Sequence, residues 1–462
     1  MNGEMQVVGI SEYSGQTTVH PLGLAFVLIL GLCILFLPRR WSGLPLLVMA
    51  CFVSSAQRIV IAGADFDFLR IMVLFGVIRL ILRKEYRCFV WRPLDTSMVL
   101  WTISSMVFNV LQLGTISTIM NRFGFAFDVF GMYFLFRCLV QGWQDVDINI
   151  KGALLISLPL AVLFLLENRT GRNLFSIFGG VPEITAVREG RLRCQGAFSH
   201  PILAGCFWAS LIPLFAAYWW KSSKYRTWVI TGIITSTIIV LCSASSTPVM
   251  GVFSAIIGGL FFYFRYQMRL VRWCILLTLI TLHMVMNAPV WHLICRVSAV
   301  GGSTGWHRYN LIDQAINHFD EWWFSGCSGY AVASWGIHAG DVTNQYILEG
   351  VRAGFLTMCT FVAIIVIAFR ELGRLGRLQK RNPYQLALSW ALGVSLFVHC
   401  TNFVGVAYFG QIWILWYLLL AMIGSLSVQT ASLTIQAIHP SVSVQQKSHL
   451  QNQLTCRVLY GG

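Results

Sequence analysis

Three stretches of the 462-residue chain carry side chains of types that do chemistry. The first is Arg188-Glu189-Gly190-Arg191-Leu192-Arg193, which runs on through Cys194-Gln195-Gly196-Ala197-Phe198-Ser199 to His200-Pro201. A guanidinium is a planar fork that matches a phosphate bidentately, so Arg191 and Arg193 are candidate anion ligands, and His200 is a candidate base. The second stretch is led by Arg308, with Tyr309, Ile312, Ile316 and Phe319 at helical spacing opposite Asn310, Asp313, Gln314 and Asn317. That pattern predicts an amphipathic helix lying on a surface, followed at 324–329 by a turn whose glycines permit a tight reversal. The third is His338-Ala339-Gly340-Asp341-Val342-Thr343-Asn344-Gln345, in which Asp341 or Thr343 can cap a long helix. His338 and Asp341 are proton acceptors, and the helix N-terminus beside them is a ready anion site. Each group also has a plainer reading: arginines snorkel to lipid headgroups, Asn344 is a capping-turn residue, and Glu349 and Arg352, three apart, pair with one another.

The elements that must position these residues are membrane spans. Hydrophobic residues make up 56% of the chain and charged residues 11%, against roughly 25% charged in a soluble domain; a large soluble domain is excluded. Apolar runs cover 21–38, 43–60, 66–82, 95–112, 122–141, 151–167, 200–220, 226–243, 248–264, 270–288, 345–370, 386–404 and 408–428. With about 20 apolar residues needed per crossing, they predict an all-α polytopic membrane protein with 12 or 13 transmembrane helices over 21–428. The count turns on the second and third runs, which Arg58, Asp65, Asp67 and Arg70 interrupt. Residues 1–20 are polar and contain no Lys or Arg, so they lack the basic start of a cleavable signal peptide and the first run is expected to stay as a span. Residues 429–462 are rich in Gln, Ser and Thr and are expected to form a disordered cytoplasmic tail.

Charge fixes the orientation. The net charge of +15 would suggest nucleic acid in a soluble chain, but the excess sits in short loops: Arg39/Arg40, Arg79/Arg83/Lys84/Arg87/Arg92, Lys221/Lys224/Arg226, Arg265/Arg269/Arg272 and Arg370/Arg374/Arg377/Lys380/Arg381. The positive-inside rule puts these in the cytoplasm, and no nucleic-acid partner is expected. Loops 168–199 and 289–344 then lie on the outer face, and the first of them holds Arg169, Arg172, Arg188, Arg191 and Arg193 on the side where topology disfavours them. Five such arginines against Glu183 and Glu189 favour anion binding. The 13 cysteines include no metal-type spacing, so no metal is expected, and most read as buried hydrophobes. Cys194, Cys295 and Cys327 fall in the outer loops with no regular pairing.

At these residues the chain resembles the bacterial O-antigen ligase and O-antigen polymerase superfamily, which includes exopolysaccharide repeat-unit polymerases. The resemblance covers roughly 190–420. It rests on Arg193-x-x-Gly196-x-Phe198-x-His200-Pro201, the Arg308-led segment ending in Gly326-x-x-Gly329, and Asn344-Gln345-Tyr346-Ile347 with Gly354 ten residues after the Asn. It implies a metal-independent, cofactor-free glycosyltransferase of GT-C-like architecture, multi-pass in the bacterial inner membrane, acting on a polyprenyl-diphosphate-linked glycan at the periplasmic face. Membrane lipid and polysaccharide-assembly proteins are its implied partners. Arg191, Arg193 and Arg308 would hold the diphosphate, and Asn344 belongs to the catalytic motif. In the family a His precedes that Asn, whereas here Thr343 does; His338, Asp341 and His200 are the candidate bases in its place.

Two other readings stand beside the enzyme. A transporter predicts polar groups near the midplane and broken helices with internal symmetry; Arg70 and Asp128 are the main intramembrane charges, with Arg137 or Arg122 as possible partners of Asp128. A non-catalytic scaffold for polysaccharide assembly predicts that the outer arginines are dispensable.

Overall fold

The computed structural model describes residues 17–61, 64–296, 304–336, 340–379 and 381–438. The apolar runs fold as helices because a chain that cannot bond water must satisfy its backbone internally. In chain order they are α1 (Pro21–Phe36), α2 (Leu44–Phe52), α3 (Phe68–Arg83), α4 (Pro93–Leu113), α5 (Ile116–Leu139), α6 (Trp143–Thr170), α7 (Pro201–Ala216), α8 (Arg226–Cys242), α9 (Ser246–Leu260) and α10 (Met268–Val285). After the second long loop, which contains α11 (Thr304–Asn317), α12 (Phe319–Trp322) and α13 (Gly329–Ser334), come α14 (Gln345–Leu378), α15 (Pro383–Gly405) and α16 (Ile412–Ile438). Among the described residues eight helices, α4, α6 to α10, α14 and α15, are long and apolar enough to cross a membrane. The protein is thus an all-α polytopic membrane protein, with two short hairpins, β1 (Arg58–Ile61) with β2 (Ala64–Asp67) and β3 (Val187–Arg188) with β4 (Arg191–Leu192), as its sheet.

Burial ranks the helices by place. α7 is buried around nearly its whole circumference and α16 is buried from Ile412 to Ser427 except at Trp413, as helices apolar on every side should be. α10 buries none of its residues and lies at the rim.

Contacts sort the polar residues into two ends. At one end Arg39 binds Asp145 at 2.9 Å, Arg92 binds Glu371 at 3.3 Å, and Asp147 accepts from Lys221, Tyr218 and Tyr384 at 2.6–2.8 Å. Four of the five basic clusters therefore meet there. At the other end lie both long loops, joined to the bundle through Ser54 to Gly180, Arg193 to Ser245 and Arg308 to Thr247.

Three expectations need correction. The run 43–60 is not a helical span: α2 has nine residues, about 14 Å of helix, and the chain continues without helix through a turn at Ser55 and Ala56 into β1, with Val53, Ser54, Ser55, Gln57 and Arg58 all buried. Such backbone is tolerated at membrane depth only inside protein, and here Gln411 Nε2 donates to the Val53 carbonyl while Gln57 Nε2 donates to that of Phe178. Asp128 pairs with neither Arg137 nor Arg122. Arg70 forks onto it with both bonds at 2.7 Å, while Arg137 forks onto Asp95 at 2.9 and 3.0 Å. Finally, α16 runs on to Ile438, ten residues beyond the boundary expected at 428.

Candidate functional site

The site is built around the turn between α8 and α9, Ser243-Ala244-Ser245-Ser246-Thr247. α8 stops there because Ala244 takes a left-handed φ of 43°, which side chains disfavour. Ser245 does not use its hydroxyl to cap α9; it donates to the Ser243 carbonyl at 2.9 Å and accepts from Arg193 Nη2 at 2.9 Å. Arg308 Nη2 reaches the same turn from the other loop, donating to Thr247 Oγ1 at 2.8 Å and to Ser246 Oγ at 3.4 Å. The two arginines expected to act together are thus brought together, at the N-terminus of a 15-residue helix whose first N–H groups favour an anion.

The hairpin β3–β4 delivers the first of them. Glu189 and Gly190 both have positive φ, 52° and 74°, the tight two-residue turn that fits the twist of a hairpin. Its register sets Arg188 directly opposite Arg191, an arrangement in which like charges repel. Arg191 is exposed and lines an open cleft of about 410 Å³ shared with Asn168, Leu241, Ala244 and Ser245. Arg308 sits on α11, the amphipathic helix expected at 306–319, and is 8% exposed.

Electrostatically the site is unbalanced. Among the described residues no carboxylate offsets either guanidinium: burial lowers the pKa of Arg308, and burial together with Arg188 lowers that of Arg193. Arg193 Nε is buried without a partner. A buried charge needs a counter-charge or several hydrogen bonds, and hydroxyl oxygens supply only part of that.

Two residues expected in the catalytic group make capping hydrogen bonds. His200 caps α7: its Nδ1 accepts the Ile202 N–H at 3.2 Å, and burial, then Arg193 and Arg188, hold its pKa at about 4. With Nδ1 occupied, the neutral ring carries its proton on Nε2 and offers no lone pair to an acceptor hydroxyl. Asn344 caps α14, accepting the N–H groups of Tyr346 and Ile347 at 3.0 and 3.2 Å, and donates to the Val404 carbonyl at 3.4 Å. Asp341 is exposed in the turn before α14. His338 lies outside the described residues. Glu349 and Arg352 form no ion pair; Glu349 accepts from Gln345 at 2.6 Å and from Trp101 at 2.8 Å.

The sequence also hid two features of the site. The hydroxyls of Ser245, Ser246 and Thr247 look like any short turn, although three in succession before Pro248 are a usable signal. The other is how the second loop is seated. α14 is broken at Ala353–Gly354, where Gly354 has φ 81°, and a Cβ there would strike the Phe324 carbonyl, as one on Gly326 would strike that of Val351. Cys327 N–H bonds Val351 and Phe355 N–H bonds Trp323, both at 2.8 Å, so the glycines of the motif are where loop and helix meet backbone to backbone.

No protein-family model and no curated protein matches the chain.

Proposed function

We propose that this chain is a membrane glycosyltransferase that joins polyprenyl-diphosphate-linked oligosaccharide repeat units into an exopolysaccharide or O-antigen, at the outer face of the bacterial inner membrane and on a GT-C-like bundle. One observation carries the reading: Arg193 and Arg308, from two separate outer loops, converge on one hydroxyl turn at a helix N-terminus with no carboxylate to neutralise them. A diphosphate supplies the missing charge and accepts bidentate forks. In the reaction an acceptor hydroxyl oxygen attacks the anomeric carbon, the bond from that carbon to the diphosphate breaks, and the polyprenyl diphosphate leaves with the electron pair. The arginines stabilise the charge that develops on the leaving oxygen, in the role metal ions fill elsewhere. The hydroxyl proton passes to a base, for which the candidates are Asp341, in the turn before α14, and His338, three residues earlier in the sequence.

The test is to incubate purified protein in lipid with a polyprenyl-diphosphate oligosaccharide and a metal chelator, and to resolve products by size. A ladder from wild type that is lost in Arg308→Ala supports the reading. Ladders of equal yield in both would remove the site. Product only when a separate lipid acceptor is added would mean a ligase.

A glycolipid transporter is the second reading. The interrupted crossing after α2 and the break in α14 favour it, while the intramembrane charges Arg70–Asp128 and Arg137–Asp95 are closed pairs. Flipping of a labelled glycolipid in vesicles without product formation would decide for it.

A further inference from the structure

Cys194 and Cys242 stand 48 positions apart, one in the first outer loop and the other at the end of an apolar run. In the fold they are neighbours. The Cys194 N–H donates to the Cys242 carbonyl at 3.0 Å, and the two thiols are close enough to influence one another's ionisation. Both are buried, at 0% and 7% exposure. A backbone N–H of one residue bonded to the carbonyl of the other makes the two immediate neighbours, the closeness that a disulfide requires.

We propose that Cys194 and Cys242 are a disulfide-forming pair, and that the cross-link fastens the segment after β4 that carries Arg193 to the turn that receives both arginines. Cys194 directly follows Arg193, and Cys242 directly precedes Ser243 at the start of that turn. A bond between them fixes the Arg193 backbone against Ser245 and so holds one wall of the anion site. The inference rests on the orientation proposed above, which puts this end of the bundle in an oxidising compartment. The chemistry is thiol–disulfide exchange with a disulfide oxidant, a protein disulfide of the exported kind. One cysteine thiolate attacks that disulfide and the second attacks the resulting mixed disulfide. One S–S bond forms in the protein and one breaks in the oxidant, which leaves as a dithiol carrying the two electrons and two protons. Because both sulfurs are covered in the finished fold, exchange belongs to the stage before the loop closes.

The decisive experiment reads the bond and needs no glycan. Full-length protein is extracted from native membranes without reductant, denatured in N-ethylmaleimide, digested and examined by mass spectrometry. A peptide pair linked through Cys194 and Cys242, absent after dithiothreitol, is expected. Complete alkylation of both cysteines overturns the proposal. Copper-phenanthroline oxidation of the purified protein then says why: cross-linking means that the compartment was misassigned, and none means that the thiols do not meet. For the positioning role, Cys194→Ser, Cys242→Ser and the double variant should lower the melting temperature equally, since each breaks the same bond, and should lower product yield to a common level. Additive melting losses, or unchanged ladders in all three, would sink that role while leaving the polymerase reading intact.

Discussion

Arg308 and Arg193 donate to neutral hydroxyls and, among the described residues, face no acid, so each removal should be felt in the transition state. We expect Arg308→Ala and Arg193→Ala to slow product formation on the order of 10²–10³-fold, the effect of losing one preorganised donor, with normal insertion. Lysine at either position keeps the charge and loses the fork, and should leave an intermediate rate. Thr247→Val, which deprives Arg308 of its hydroxyl acceptor at 2.8 Å, should cost about tenfold, the worth of one charge-assisted hydrogen bond; a rate equal to wild type in the size-resolved assay would mean that the hydroxyl does not orient Arg308. His200 makes a pH prediction. Its pKa of about 4 lies below the unfolded value near 6.5. Between those values the unfolded chain binds a proton that the folded chain does not, so stability falls as pH drops from about 6.5 to about 4 and levels off below. His200→Asn keeps a cap residue and removes the titration, so its melting temperature in detergent should fall less over that window. Arg193 was legible in the sequence as one of five arginines in a loop where the positive-inside rule disfavours them, and Arg308 as the head of the amphipathic segment that the resemblance includes. The hydroxyls were not, since Ser and Thr are ordinary turn residues, and nothing local distinguishes an Asn that caps from one that acts.

At the scale of elements, the break in α14 seats the second loop. Gly354→Ala places a methyl against the Phe324 carbonyl at φ 81°, a conformation costing about 1–3 kcal/mol for a residue with a Cβ. The expected result is a lower melting temperature, earlier proteolysis between α11 and α13, and loss of product, because α11 carries Arg308. Limited proteolysis identical to wild type would show that the loop docks without the glycine. The helices themselves were readable from the length of their apolar runs, and so was α11 from its spacing. The failure at α2 has a physical cause: Ser54, Ser55 and Gln57 sit inside an apolar run that hydropathy averages over. The Val53 carbonyl is satisfied by Gln411 and the Gln57 side chain by the Phe178 carbonyl, partners that no local window contains.

Over the whole molecule, charge divides into a basic end where four clusters meet acidic partners and an opposite end where, among the described residues, Arg193 and Arg308 meet hydroxyls and no carboxylate. If the basic end is cytoplasmic, a membrane-impermeant maleimide applied to intact cells should label Glu189→Cys, on the exposed hairpin, and spare Cys88, which is exposed at the basic end. Read residue by residue by mass spectrometry, the reverse pattern would invert the topology. The interrupted second crossing has a consequence for biogenesis. Its non-helical backbone depends on Gln411, 358 positions later and at the start of the last helix. An insertion machinery working from the N-terminus therefore meets α2 long before its partner exists, and the crossing must wait, sheltered, until synthesis is almost finished. A ribosome-stalled chain ending before α16 should hold this region open to protease, and completing α16 should close it.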